Sequence, residues 1–234
     1  MSTTVAPPSD SVRSRVAELA ATRIATWQRG YLRDDSTAVA ALARLRRGAG
    51  RPAAGMPDLW SLVDTGPLHE RGSGLRPLSE VELTRAEDAL YTAYTLWALH
   101  QQSRGTGMHR AHRRERPGGL GAAVRRLMPA GGIDEPVRKR LVRAANAPDC
   151  VVLAQRLREI VVLLRRADVP LDYGLLAGEL YAWQWPGGAE SVRRAWGRSF
   201  HSWQGPRAQQ DTEPGASTGT DTDSDLDTDS KDAS

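Results

Sequence analysis

The sequence predicts an all-α protein made of two small helical bundles, with about eight to nine helices in total. Apolar residues recur at helical spacing along most of the chain, and the alternation typical of strands is almost absent. Glycine and proline separate these periodic stretches from one another. The 234 residues are enough for each bundle to bury a hydrophobic core of its own.

Caps and apolar faces define the elements of the first half of the chain. The predicted elements are helices at 11–28 and 36–47, a helical turn at 57–63, and helices at 79–104 and 120–128. Ser79 and Glu82 have the spacing of a capping box, in which each side chain accepts a hydrogen bond from the backbone of the other residue. The side chains predicted to be buried around the second helix and the following turn are Val39, Leu42, Leu45, Leu59, Trp60 and Leu62.

Four further helices are predicted in the second half, at 135–146, 149–167, 171–185 and 189–203. The helix at 149–167 is apolar on several sides, which is typical of a central helix. Trp97, Trp196 and Trp203 fall on apolar stripes and are predicted to lie in the core. The segment RGTGMHRAHRRERPGG at 104–119 has no apolar periodicity and is predicted to be a mobile loop. The predicted domains are therefore 11–130 and 131–204.

The charge of the chain is distributed unevenly. Residues 1–210 contain 31 basic and 20 acidic residues, a net charge of +11, and thirty of the 32 basic residues in the whole chain are arginine. Residues 211–234 contain eight acids and one lysine, a net charge of −7. The segment 205–234 has too few apolar residues to bury, so it is predicted to be a disordered acidic tail. A net positive charge of this size is typical of nucleic-acid-binding proteins, although ordinary soluble domains can also carry such a charge.

The sequence contains no recognisable catalytic or metal-binding constellation, and neither an enzymatic activity nor a cofactor is predicted. His109 and His112 stand among five arginines that would repel a metal cation, so they are predicted to be solvated loop residues. Cys150 is the only cysteine and lies among apolar residues, which favours a core position in a reducing compartment. The N-terminus lacks the pattern of a signal peptide, and the longest strongly apolar run, IVVLL, is far too short to span a membrane. These features predict a cytoplasmic protein with no membrane partner.

Arginine clusters at outward-facing helical positions are the strongest functional signal. The candidate nucleic-acid-binding residues are Arg44, Arg46, Arg47, Arg85, Arg110, Arg113, Arg114, Arg125, Lys139 and Arg143. For any one of them, a solvated helix face is about as good an explanation as a binding role. Together they favour a polyanion, because the guanidinium group binds phosphate oxygens in a bidentate manner that lysine cannot reproduce. Contacts of this kind hold a nucleic-acid backbone without reading its sequence.

Three stretches in order resemble the CasB family, the small subunit of the type I-E CRISPR surveillance complex, Cascade. They are VAALARLRRGAG with MPDLWSLV, then EDALYTAYTLWALHQ, then RKRLVRAANAPDCVVLAQRLREIVVLLRRADVPLDYGLLAGELYAW. The likeness runs from about residue 11 to 203, and its most specific parts are Leu-Arg-Arg at 45–47 with Trp60 downstream and VPLDY at 169–173.

The resemblance implies a non-enzymatic protein of antiviral defence that stabilises pairing between guide RNA and target DNA and keeps the displaced strand apart. It implies CRISPR RNA and both strands of target DNA as partners, together with the backbone subunits of Cascade and a second copy of the chain. Arg47, Arg85 and Arg143 match the basic positions that face nucleic acid in the family, whereas Asn146 stands where the family can place another basic residue. The alternative is an arginine-rich helical adaptor that binds protein partners.

Overall fold

The computed structural model describes residues 10–69 and 76–203. Within these ranges the chain forms nine α-helices and no β-strand, which confirms the predicted all-α class. The helices are α1 (Asp10–Tyr31), α2 (Ser36–Leu45), α3 (Gly66–His69), α4 (Glu80–Gln101), α5 (Leu120–Arg125), α6 (Glu135–Ala145), α7 (Cys150–Arg166), α8 (Tyr173–Trp183) and α9 (Gly188–Ser202). Three short 3-10 turns at Arg46–Gly48, Ala53–Gly55 and Pro57–Leu62 join α2 to α3. The predicted tail at 205–234 lies outside the described residues.

Side-chain caps fix where most of these helices begin. At the start of α4, both hydrogen bonds of the predicted capping box between Ser79 and Glu82 are present. The side chains of Asp35, Asp149 and Asp172 accept hydrogen bonds from backbone amides in the first turns of α2, α7 and α8 respectively. Because each cap satisfies an amide that the helix leaves unpaired, these positions fix the register of the elements that carry the arginines.

Helix α8 is the central helix, with ten of its eleven residues buried, in place of the predicted helix at 149–167, which as α7 has one exposed side. It packs against α1 and α4, while α4 also packs against α7. Ala17 of α1 comes close to α8 because Gly174 and Gly178 have no side chain there: a Cβ atom on Gly174 would lie 2.8 Å from the Ala17 carbonyl oxygen. One continuous hydrophobic cluster contains residues from α1 through α9. The predicted boundary near residue 130 passes through this shared cluster, and the division into two bundles stays a prediction.

Two predicted core positions are wrong, one in α2 and one within the turn at 57–63. Val39 lies on the exposed side of α2, where Ala38 and Ala41 occupy the buried face instead. Trp60 is 61% exposed, whereas Leu59 is fully buried beneath the same turn. The segment Pro57–Leu62 is a 3-10 helix with three residues per turn, so adjacent side chains point in directions that α-helical spacing does not predict. The predicted burial of Trp97 and Trp196 is confirmed, and Trp203 is half-buried.

Candidate nucleic-acid interface

The turn that follows α2 places two candidate arginines on the surface. Arg46 and Arg47 are exposed and belong to the 3-10 turn Arg46–Gly48. Gly48 anchors this turn to α4, because the Tyr91 hydroxyl donates a hydrogen bond to its carbonyl oxygen at 3.2 Å. A Cβ atom on Gly48 would lie 2.5 Å from the same hydroxyl oxygen, so the close approach requires glycine. The anchored turn holds both arginine backbones in fixed positions.

Helix α7 adds an arginine to this surface from a distant part of the sequence. Gly50 has a positive φ of 78°, and the Arg158 side chain lies directly against it, with Cδ 2.9 Å from the position of a Gly50 Cβ. Arg46, Arg47, Arg51 and Arg158 line one open depression of about 520 Å³, together with Ala49, Gly50, Gln155 and Glu159. We call this surface the arginine depression. Neither Arg51 nor Arg158 is among the candidate residues predicted from the sequence.

Carboxylates neutralise only part of the arginine depression. Arg47 pairs with Asp58 at 2.9 Å, and Glu159 on the rim pairs with Arg140 of α6 at 3.2 Å. In the described ranges 10–69 and 76–203, the other three arginines have no carboxylate within 4.0 Å. Three guanidinium groups without a paired carboxylate therefore give this concave surface an excess of positive charge.

Arg44 has a structural role at the edge of this surface. Its guanidinium group donates hydrogen bonds to the carbonyl oxygen of Asp58 and to the hydroxyl of Ser61. These bonds tie the end of α2 to the turn Pro57–Leu62. Because Arg44 is half-buried and already has two acceptors, it supports the depression and contributes less than its neighbours to the accessible charge.

Helix α6 lies beside the arginine depression through its contact with α7. Lys139 and Arg143 are both exposed, as their helical phase predicted, while Leu141 and Ala144 face the core. Arg156 of α7 donates a hydrogen bond to the Arg143 carbonyl oxygen, which fixes the end of α6. Nucleic-acid contact by the exposed Lys139 and Arg143 stays a prediction.

The arginine-rich segment at 104–119 is anchored at both ends, in contrast to the predicted mobile loop. The Gln28 side chain accepts a hydrogen bond from the His109 amide at 2.7 Å and donates one to the His109 carbonyl oxygen at 3.1 Å. The Asp172 carboxylate accepts from the His112 amide at 2.7 Å, and the Asp172 amide donates to the Gly118 carbonyl oxygen at 2.8 Å. Between these anchors, Arg110, Arg113 and Arg114 are exposed.

Arg125 lies near this segment, at the end of α5. Its guanidinium group donates hydrogen bonds to the carbonyl oxygens of Pro129 and Ala130 and lies 5.6 Å from the centre of the Trp203 ring. The next residue, Arg126, is more deeply buried and donates to the carbonyl oxygen of Pro117 at 2.6 Å. Arg125 thus donates its hydrogen bonds within the protein, and its contact with nucleic acid stays a prediction.

Arg85 does not face outward as its helical phase predicted. It is half-buried, and its guanidinium carbon lies 4.0 Å from the centre of the Trp185 ring, whose residue is only 6% exposed. The Nη1 atom of Arg85 is buried without a hydrogen-bond partner among the described residues. Gln184, next to this tryptophan, donates a hydrogen bond to the Arg85 carbonyl oxygen at 2.8 Å. The segment that directly follows α8 therefore covers the side of α4 that the sequence pattern predicted to be exposed.

We predict that Arg85→Ala destabilises the protein by about 1–2 kcal/mol, because it removes a half-buried cation–π contact and the packing of the arginine stem. Arg47→Ala, at an exposed position with a single surface ion pair, is expected to cost less than about 0.5 kcal/mol. Chemical denaturation of both variants measures the difference. Equal stability of the two variants would contradict the structural role of Arg85.

The titratable side chains considered above as ligands or core residues are His109, His112 and Cys150. In the part of the chain that the structure describes, no three His, Cys, Asp or Glu side chains form a group that could hold a metal ion. His109 is half-buried, and burial lowers its pKa, so its neutral Nδ1 accepts a hydrogen bond from the Tyr173 amide at 3.2 Å. This corrects the prediction that His109 is solvated, whereas His112 is exposed. Burial raises the pKa of the Cys150 thiol, which makes it a poor nucleophile at neutral pH.

Comparison with known proteins identifies a family to which the sequence and the fold are similar. The family model described as CRISPR-associated protein Cse2 matches residues 41–201. CasB from Thermobifida fusca, in a crystal structure, is 48% identical and has a TM-score of 0.70, with 80% of this chain and 98% of that chain covered. The chain belongs to the Cse2 family. The resemblance to CasB inferred from the sequence is thereby confirmed.

A second solved structure shares the Cse2 fold at greater distance. It is a chain of a CRISPR RNA-guided surveillance complex, with 20% identity and a TM-score of 0.52 over 81% of this chain and 95% of that chain. A comparison with curated proteins finds no match. The match to the Cse2 family model ends at residue 201, so the acidic segment 211–234 lies outside it. No helix among the described residues combines the length and the hydrophobicity that a membrane span needs.

Proposed function

We propose that this Cse2-family chain is a non-catalytic subunit of a CRISPR RNA-guided surveillance complex and holds nucleic-acid strands by their phosphates. Family membership, the likeness to CasB and the shared fold with a chain of such a complex support the assignment to the complex. The partners we propose are CRISPR RNA, both strands of target DNA, the backbone subunits of the complex and a second copy of this chain. The proposed role in antiviral defence follows from that assembly.

The arginine depression is the single observation that carries the nucleic-acid part of the proposal. It brings residues from α7 and from the turns after α2 to one concave surface, and their charge exceeds that of the nearby carboxylates. A nucleic-acid backbone carries a closely spaced row of phosphates, each of which a guanidinium fork can bind. Such contacts carry no base specificity, as a subunit that serves many different guide sequences requires.

The proposed contribution to target recognition is electrostatic. Exchange of a DNA duplex for an RNA–DNA heteroduplex is nearly balanced in base-pairing energy. Additional contacts between arginine and the backbone of a separated strand therefore shift the balance towards the open state. In this proposal the chain supplies positive charge at a fixed position, and no bond is made or broken by its side chains.

Replacement of two arginines in the depression tests the proposal. We expect the double variant Arg46→Gln with Arg158→Gln to bind single-stranded DNA about 10–100-fold more weakly at low salt, because two phosphate contacts are lost. The slope of log affinity against log salt should become shallower by roughly 2. Fluorescence anisotropy with a labelled strand across a salt series measures both quantities.

A matched pair on α9 controls for the loss of net charge. Arg194, which pairs with Glu190 at 2.6 Å, and Arg198 are exposed on α9 and do not line the arginine depression. The double variant Arg194→Gln with Arg198→Gln removes the same formal charge, and we expect it to change affinity less than about threefold. Equal weakening by the two double variants would show that net charge alone drives binding and would reject the depression as the site.

The adaptor function has one specific observation in its favour. Trp60 is 61% exposed and lines a cavity of about 450 Å³ with Val63, Tyr91, Glu87 and Asp88. An exposed indole beside carboxylates is a surface that a basic protein segment fits. Trp60→Ala with unchanged DNA affinity but lost incorporation into the surveillance complex would assign this surface to protein contact. Loss of DNA affinity in the same variant would instead place Trp60 on the nucleic-acid side.

A further inference from the structure

The acidic segment at 211–234 follows directly on a basic part of the described structure. Trp203 is the last described residue, and the Arg125 guanidinium carbon lies 5.6 Å from the centre of its ring. Trp203 also lines a cavity of about 420 Å³ with Arg110, Arg116 and Arg126. The chain therefore continues towards residue 204 from the edge of the arginine-rich segment.

The arginine-rich segment has excess positive charge at that edge. We call residues 110–116 the arginine loop; it contains four arginines and one acid, Glu115, which also lines the cavity. Arg110, Arg113, Arg114 and Arg116 are exposed, and among the described residues none of them has a carboxylate within 4.0 Å. Burial first, and then the charges of Arg110 and Arg116, lower the pKa of Arg126, as expected where like charges crowd together.

The segment beyond Trp203 has the complementary charge and sufficient length. Its eight acids and one lysine give a net charge of −7, and aspartate occupies every second position from Asp221 to Asp229. The first acid, Asp211, is eight residues beyond Trp203, a stretch that can span up to roughly 27 Å when extended. All eight acids can therefore return to a loop that lies beside the start of the segment.

We infer that the acidic segment 211–234 binds the arginine loop of its own chain and competes there with nucleic-acid phosphates. Tethering gives the carboxylates a high effective concentration at the nearest unpaired arginines, without a need for tight intrinsic affinity. The same tether favours the arginine loop over more distant basic surfaces. Contacts of this kind are screened by salt, so a loosely bound strand is displaced more readily than a strand held at many positions. The competition part rests on the proposed function, whereas contact between tail and loop does not.

Nuclear magnetic resonance of the full-length protein tests the contact directly. The comparison is between the wild-type chain and a full-length variant in which each of the eight tail acids is replaced by its amide, Asp→Asn or Glu→Gln. We expect the Nε–Hε signals of Arg110, Arg113, Arg114 and Arg116 and the indole signal of Trp203 to differ between the two chains at low salt. The difference should disappear by about 500 mM salt, where screening acts within about 4 Å.

The arginine depression provides the internal control of this experiment. Signals of Arg46, Arg51 and Arg158 should be the same in the two chains. Unchanged arginine-loop signals would overturn the inference, and so would changes confined to the arginine depression. Arg113→Gln with Arg114→Gln should reduce the remaining differences in the loop, because it removes half of the arginine charge on which the contact depends.

Competition is measured separately with a labelled random-sequence single strand. We expect the tail-amide variant to bind this strand roughly threefold to tenfold more tightly than wild type at about 50 mM salt, with equal affinities at high salt. Equal affinities at low salt, with the resonance differences present, would overturn the competition part alone. If neither the wild type nor the tail-amide variant binds the strand, the proposed function is wrong. The contact between the acidic segment and the arginine loop is then still tested by the resonance experiment.

Discussion

Gly121→Ala is expected to destabilise the protein by about 3 kcal/mol or more, because it forces apart two helices that touch through their backbones. A Cβ atom on Gly121 of α5 would lie 2.0 Å from the Trp196 carbonyl oxygen and 2.8 Å from the Phe200 amide nitrogen, both in α9. Neither backbone group can rotate away as a flexible side chain could. Urea denaturation with the midpoint and slope fitted together measures the loss.

A second glycine, in the facing helix, provides the matched control. Gly197 of α9 has open space around it: apart from its chain neighbours and the nearby backbone of its own helix, no atom lies within 4 Å of its Cβ position. Gly197→Ala is therefore expected to leave stability unchanged or to raise it by up to about 1 kcal/mol, through the higher helix propensity of alanine. Similar stability of the two variants would show that α5 and α9 do not pack as closely as the structure has them.

Glu179→Gln is expected to stabilise the protein by up to about 3 kcal/mol above neutral pH and to have little effect near pH 5. Burial raises the pKa of Glu179 to about 7, although the hydrogen bond from the Trp196 indole at 2.8 Å partly opposes this shift. The folded protein therefore holds a proton that the unfolded chain releases near pH 4.5. In the wild-type protein, the contribution of Glu179 to the free energy of unfolding is therefore fully present at low pH and is lost as the pH rises through 7.

The free energy of unfolding of Glu179→Gln minus that of the wild-type protein reports on the Glu179 carboxyl group alone, because the other titratable groups contribute equally to both. Burial lowers the pKa of His100 to about 3 and also lowers that of His109, so these two residues favour the folded state above pH 6.5 and act in the opposite direction. Arg13 and Asp172 also act on Glu179, with opposite signs. Subtraction removes the histidine contributions, and we expect a difference that grows from about pH 5 to 7 and then levels off. A difference independent of pH would show that Glu179 is ionised throughout.

Local rules in the sequence were sufficient to predict most of the helices. The capping box at Ser79 and Glu82 is formed, and the predicted helix at 79–104 corresponds to Glu80–Gln101. These features depend on contacts between residues three or four positions apart, which the sequence specifies directly. The start of α2 at Ser36 follows in the same way from Asp35, whose side chain accepts a hydrogen bond from the Ala38 amide.

Contacts between distant residues could not be predicted from the same rules. Helical phase placed Arg85 opposite the apolar stripe of α4, but Trp185, which follows α8 and is a hundred residues away in the sequence, covers it. Arg158 lies beside Gly50 because α7 packs against α4 and the turn after α2, and no local pattern links those positions. The sequence therefore predicted Arg46 and Arg47 of the arginine depression, but not Arg51 and Arg158, which complete it.

The salt dependence of binding to nucleic acid tests the central claim most directly. Two single strands of equal length and unrelated sequence are titrated with the full-length protein across a salt series. If phosphate contacts with the arginine depression and the other exposed arginines carry the binding, log affinity should fall against log salt with a slope of roughly −3 to −5, equally for both strands. A slope near zero, or a strong preference for one sequence, would contradict the account.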